Sequence, residues 1–138
     1  MKVLHINAGL ENGGGLSHIV NLLTEAKLEN QDWELLTLAK GPVSEAAQKK
    51  GIKTHLLNAS SRYDLASLKK LTKFINEGNY DIVHTHGARA NLYVSLIRNK
   101  IKAKWCITVH SDPYLDFENR GIVGKVFTDL NIHALRKA

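Results

Sequence analysis

The amino-acid sequence predicts a doubly wound α/β fold: a mainly parallel open sheet of about five strands with helices on both faces. Two observations carry this. Short apolar runs alternate with segments of helical period, and several of the runs are apolar at nearly every position. Strands separated by helices pair in parallel through right-handed crossovers. Strands without an in-and-out alternation are the ones covered on both faces.

The strand-like runs fall at residues 2–7, 33–39, 54–58, 81–84 and 105–110, each bounded by turn residues or charges. Val3, Leu4 and Ile6 make the first almost continuously apolar, as do Leu35, Leu36 and Leu38 in the second and Ile107 and Val109 in the fifth. Between them, Leu16, Ile19, Val20, Leu22 and Leu23 form one helical stripe after Gly15. Residues 44–50 suit a short helix ending at Gly51. Leu65, Leu68, Leu71, Phe74 and Ile75 form a further stripe, with Asp64 placed to cap its N-terminus. Residues 88–98 carry Leu92, Leu96 and Ile97 and end in a basic turn, where cations suit the helix dipole. A last helical segment at 121–135 has Ile122, Val126 and Leu130 four residues apart. The order is βαβαβαβαβ with a helical tail.

A chain of 138 residues is one domain's length and can bury a core of its own. Its 43% hydrophobic and 23% charged residues exclude the disordered class. No apolar run approaches the roughly 20 residues of a membrane-spanning helix, and Met1-Lys2 leads into the first strand without a cleavage signal, so the cytoplasm is the expected compartment. Nineteen Lys and Arg against 13 Asp and Glu give a net charge of +6, which favours anionic partners. The basic residues are scattered, without the interleaved aromatics of a single-strand-binding surface, and no nucleic-acid partner is expected. The single cysteine, Cys106, lies in an apolar run and is expected to be a buried reduced thiol without chemistry.

Ligands of such sheets bind beyond the carboxyl ends of the strands, where strand order reverses. After the first strand the chain reads Ala8-Gly9-Leu10-Glu11-Asn12-Gly13-Gly14-Gly15-Leu16-Ser17-His18. Gly13, Gly14 and Gly15 would let the backbone approach a ligand, and the free amides of the following helix would receive phosphate or other oxygens. The loop lacks G-x-G-x-x-G spacing and the second strand ends without an acidic residue, which excludes a dinucleotide cofactor; the Gly-Lys-Ser/Thr of a P-loop is also missing. The fourth strand ends Val83-His84-Thr85-His86-Gly87-Ala88-Arg89 and the fifth Val109-His110-Ser111-Asp112. Histidines there can bond sugar hydroxyls or move a proton. His84 and His86 share one face of a strand, which permits metal binding, but the sequence offers no evident third ligand and no metal is expected. His110-Ser111-Asp112 has triad residue types without triad geometry, and there is no G-x-S-x-G elbow, so a serine hydrolase is not expected.

The opening strand with Gly13-Gly14-Gly15-Leu16-Ser17, then residues 81–87, then Thr108-Val109-His110 together resemble the N-terminal domain of retaining family-4 glycosyltransferases of the GT-B type. The resemblance covers essentially the whole chain. It implies a single Rossmann-like acceptor-side domain over residues 1–138, facing a nucleotide-binding C-terminal domain that this chain lacks. Gly14 and Gly15, with Gly13, would face the donor phosphates or the reacting sugar. His110 would contact the donor sugar and assist the reaction centre, while His86, Gly87 and Arg89 would line the acceptor side and Asp112 would join the substrate-binding set. The implied activity is transfer of a sugar from a nucleotide-sugar donor to a sugar or lipid-linked acceptor, with retention, in cell-surface polysaccharide or glycolipid synthesis. No separate cofactor is implied. The missing half would come from a second domain or partner chain, and contact with the inner membrane face fits the positive charge. The alternative is a Rossmann-like module that binds a carbohydrate or nucleotide without catalysis.

Overall fold

A computed structural model describes residues 1–10, 13–58 and 65–108. Five strands, β1 (Val3–Asn7), β2 (Trp33–Thr37), β3 (Thr54–Leu56), β4 (Ile82–His86) and β5 (Lys104–Thr108), form one sheet in the order β3-β2-β1-β4-β5. Every pairing is parallel. The connecting helices are α1 (Gly14–Leu28), α2 (Pro42–Lys49), α3 (Leu65–Glu77) and α4 (Ala88–Ile97), with a 3-10 turn at Arg98–Lys100. The doubly wound open sheet predicted from the alternation is therefore the fold. The expected cap Asp64, the end of the fifth apolar run and the helix at 121–135 lie outside the described residues.

Side chains alternate across the sheet, and the register fixes which strands share a face. Val3, His5 and Asn7 point with Leu35 to one side, where Ile19 and Leu23 of α1 meet Val43 and Ala47 of α2. Leu4, Ile6, Leu36 and Val83 point to the other, against Leu71 and Ile75 of α3 and Ala90, Tyr93, Val94 and Ile97 of α4. Leu65 and Leu96, expected on helical stripes, are exposed instead. On α4 the buried stripe runs through Ala90, Tyr93, Val94 and Ile97, which leaves Leu96 on the outer side.

β4 extends to His86, two residues beyond the apolar run. Thr85 and His86 continue the strand because β1 pairs with them on one side and β5 on the other, so the backbone ladder is satisfied whatever the side chains are. α2 begins at Pro42, where Ser44 Oγ accepts the Gly41 N–H at 3.2 Å. It ends in a Schellman turn: Gly51 sits at φ 73°, its N–H reaches the Gln48 carbonyl at 3.0 Å, and Ile52 N–H reaches Ala47 at 3.1 Å.

One buried acid interrupts the apolar pattern. Glu34, on β2, accepts hydrogen bonds from Tyr80 OH at 2.8 Å and His55 Nε2 at 2.7 Å, with Lys2 and Lys53 each 3.7 Å from its other oxygen. Burial by itself would raise its pKa, but the His55 and Tyr80 bonds and the two ammonium groups outweigh that, and the net shift is downward. The same burial and carboxylate push the Tyr80 hydroxyl upward.

Cys106 departs from expectation. It lies on β5 at the end of the sheet order and is exposed. An apolar run in sequence implied burial, but Lys104 and Cys106 fall on the open face of this edge while Trp105 packs against the α3 and α4 core. Partial desolvation still raises the thiol's pKa, so it is protonated near neutrality.

Candidate functional site

Strand order reverses between β1 and β4, which are adjacent in the sheet yet followed by helices on opposite faces. Asn7 ends β1 and ties the two strands together. Its Nδ2 donates to the His86 carbonyl at 3.0 Å, and its Oδ1 accepts the Gly9 N–H at 2.8 Å. Asn7 is fully buried, so these bonds satisfy a side chain that water does not reach.

Beyond Asn7 the chain turns at Gly9, with φ 97°. A Cβ there would sit 2.4 Å from the Ala39 carbonyl oxygen and 3.0 Å from Thr37 Cβ. Gly41 returns the contact, since a Cβ on it would lie 2.6 Å from the Gly9 oxygen. The loops after β1 and β2 thus touch backbone to backbone, which fixes the rim from which α1 departs.

α1 starts at Gly14 with Gly13 as its cap residue, φ 72°; among the described residues no side chain caps it, and no acid lies in its first turn. A Cβ on Gly13 or Gly14 would meet nothing within 4 Å, and both residues are exposed. A 15-residue helix thus opens at the switch point on glycines with room around them, an arrangement that suits phosphate and other oxygen ligands. Gly15 is half-buried. At the carboxyl end of β4, Gly87 caps α4 at φ 95° and Arg89 lies half-buried in its first turn. The structure thus brings Gly13, Gly14, Gly15, Gly87 and Arg89 to one end of the sheet.

His86 is placed differently from the other predicted contacts. Its side chain is fully buried on the α1 face of the sheet, so the strand-end surface belongs to Gly87 and Arg89. Its ring stacks 4.4 Å from that of His84, 10° from parallel, and its Nε2 is 2.9 Å from Nδ1 of His5. His5 stacks in turn on His84 at 4.9 Å and packs against Trp33 at 4.8 Å. His84 also bonds the Thr108 hydroxyl, and the exposed His18 of α1 lies 6.1 Å from His86, ring centre to ring centre. Burial first, then the charges of His84 and His18, lower the His5 pKa to about 3. His5 is thus neutral near pH 7, with Nδ1 engaged by His86 and a buried Nε2 that has no hydrogen-bond partner among the described residues.

Sequence reasoning missed His5, Asn7 and Gly9. Each needed the β1–β4 pairing or the β1–β2 loop contact to acquire meaning, and neither is visible in a linear pattern. A buried histidine in an otherwise apolar central strand was the one available signal. His110, Ser111 and Asp112 lie outside the described residues. No described helix is long and apolar enough to cross a membrane.

The sequence matches the model of Glycosyltransferase Family 4 over residues 12–138. No curated protein matches it. Among solved structures, the chain is similar to HepE from Anabaena, crystallised in complex with UDP, with a TM-score of 0.69 and 17% identity. The similarity covers 94% of this chain and 35% of HepE, so the chain spans about a third of that protein's length. With five parallel strands and four helices among the described residues in the doubly wound order, and a family match over nearly all its residues, the chain belongs to Glycosyltransferase Family 4.

Proposed function

We propose that this domain is the acceptor-side half of a retaining glycosyltransferase that moves a sugar from a nucleotide-sugar to a sugar or lipid-linked acceptor in cell-surface polysaccharide or glycolipid synthesis. The observation that carries the reading is the uncapped, glycine-opened N-terminus of α1 at the sheet's switch point. Oxygen-rich groups such as donor phosphates or sugar hydroxyls suit its amides. UDP in the HepE crystal supports a nucleotide-sugar donor. In this reading Gly13, Gly14 and Gly15 face the donor phosphates or reacting sugar, Gly87 and Arg89 border the acceptor, and Asp112 belongs to the same pocket. His86 acts from beneath, holding the end of β4. His110 contacts the donor sugar. The nucleotide is held mainly by a second domain or partner chain, and a cytoplasmic site at the inner membrane face fits the +6 charge.

The test is sugar transfer measured over a panel of nucleotide-sugars and acceptors. The 138-residue chain alone should give no product, and the chain joined to the nucleotide-binding domain of a family member should give it. His110→Ala in the joined protein should lower kcat by about 100-fold, about 2.7 kcal/mol of transition-state stabilisation, with melting unchanged. Robust transfer by the isolated chain would contradict the need for a second half. Full activity per folded His110→Ala molecule would remove that residue from the reaction centre.

A further inference from the structure

His84 and His86 alone offered two imidazoles on one strand face. The parallel pairing of β1 with β4 puts His5 directly opposite His84, and so supplies a third imidazole from a neighbouring strand. The candidate ligand nitrogens of the three all lie within 4.8 Å of one another. We propose that His5, His84 and His86 form a binding site for one borderline transition-metal ion of the Zn²⁺ class, pinning β1 to β4 beneath the sheet's switch point.

The chemistry of the donors selects the ion. Three neutral nitrogen ligands with no described carboxylate among them suit Zn²⁺, Co²⁺ or Ni²⁺ and disfavour Mg²⁺ and Ca²⁺, which take oxygen. Geometry sets what must move. Zn–N bonds of about 2.0–2.1 Å at tetrahedral angles hold ligand nitrogens about 3.3–3.4 Å apart, so a separation of at most 4.8 Å has to close by no more than about 1.5 Å. The near-parallel stack of His84 on His86 is a metal-free arrangement, because ring lone pairs lie in the ring planes and stacked planes do not converge on one point. Ligation asks these rings to turn, and it exchanges the His5–His86 hydrogen bond for bonds to the ion. Turning a ring about its last torsion is inexpensive, since that torsion is broad.

A further observation favours an ion over a purely structural stack. The Nε2 of His5 is buried and has no hydrogen-bond partner among the described residues, a cost that a metal bond would remove. Half-buried His84 provides the path inward, and a three-histidine set leaves a fourth position for water. Cys106 lies opposite His84 in the register but outside the set of ligand atoms that lie within 4.8 Å of one another, so it is not counted as a ligand.

The test is metal binding by the 138-residue chain after stripping with chelator. Titration with Co²⁺ should give one ion per chain and the visible absorption of a tetrahedral site, Zn²⁺ should displace it, and the melting temperature should rise with Zn²⁺ concentration. His84→Gln and His86→Gln should each weaken binding by at least about 100-fold, beyond the range seen when only a supporting residue is lost. His55→Gln, which touches the Glu34 cluster instead, should leave the affinity unchanged. Because His5 is buried and its replacement could unfold the chain, half-buried His84 carries the decision. No saturable 1:1 binding, or binding that survives His84→Gln in a folded protein, would overturn the site.

Discussion

Replacing Gly9 by alanine separates a glycine demanded by packing from the glycines left open for a ligand. The residue sits at φ 97°, where a side chain is strained by about 1–3 kcal/mol. The added Cβ would lie 2.4 Å from the Ala39 oxygen, about 1 Å inside ordinary contact. That carbonyl cannot easily retreat, since the Ala39 N–H is held by Ala8 at 3.1 Å and the Val43 N–H by the Gly9 oxygen at 3.3 Å. Overpacking of this kind costs about 1–3 kcal/mol. Together the two effects amount to about 4 kcal/mol. At about 3–4 °C per kcal/mol for a domain of this size, the melting temperature should fall by about 10–15 °C. The matched control is Gly14→Ala, whose Cβ meets nothing within 4 Å and sits in helical backbone, and which should shift stability by no more than about 1 kcal/mol. Urea unfolding of the three proteins measures both differences. Equal stability for the two variants would refute the reasoning, since it would mean that the β1 and β2 loops do not depend on their backbone contact.

Asn7→Ala should cost about 2–3 kcal/mol by urea unfolding, because it strands the His86 carbonyl and the Gly9 N–H in a buried setting; a cost below about 0.5 kcal/mol would show that the β1–β4 tie is dispensable. Glu34 has a folded pKa below its ordinary 4.5, so its contribution is complete above that pH and is lost as the pH falls through the folded value. Between pH 6 and pH 3 the native protein should therefore lose more stability than Glu34→Gln does. Parallel pH profiles would remove the carboxylate from the account of acid stability.

The fold was legible because its cause is local. Apolar runs of strand length and stripes of helical period occur in alternation, and alternation by itself forces parallel pairing through crossovers. Boundaries were less legible where strand formation is imposed by neighbours: Thr85 and His86 are strand residues because β1 and β5 flank them, and nothing in their own chemistry says so. Cys106 and Leu96 were misplaced for a related reason, since an apolar run or stripe does not say which side of an edge strand or outer helix stays uncovered. At the site, the sequence led to the Gly13-Gly14-Gly15 turn through the rule for strand ends, and a side chain added at Gly13 or Gly14 would meet nothing within 4 Å. The glycine whose missing side chain the packing requires is Gly9, which no spacing marks. Likewise His84 and His86 were visible as a pair, whereas their relation to His5 depends on a contact 81 residues away in sequence.

The central claim is that this domain receives its substrates at the carboxyl end of β1 and β4. Amide chemical-shift mapping of the isotopically labelled 138-residue chain, titrated with nucleotide-sugars and sugar acceptors, tests it directly. The account predicts saturable shifts at Gly13 to Ser17 and at Gly87 to Arg89, on the rims of α1 and α4. Shifts confined to the opposite end of the sheet, in the groove lined by Lys27, Asn30, Asp32 and Lys53, would contradict it.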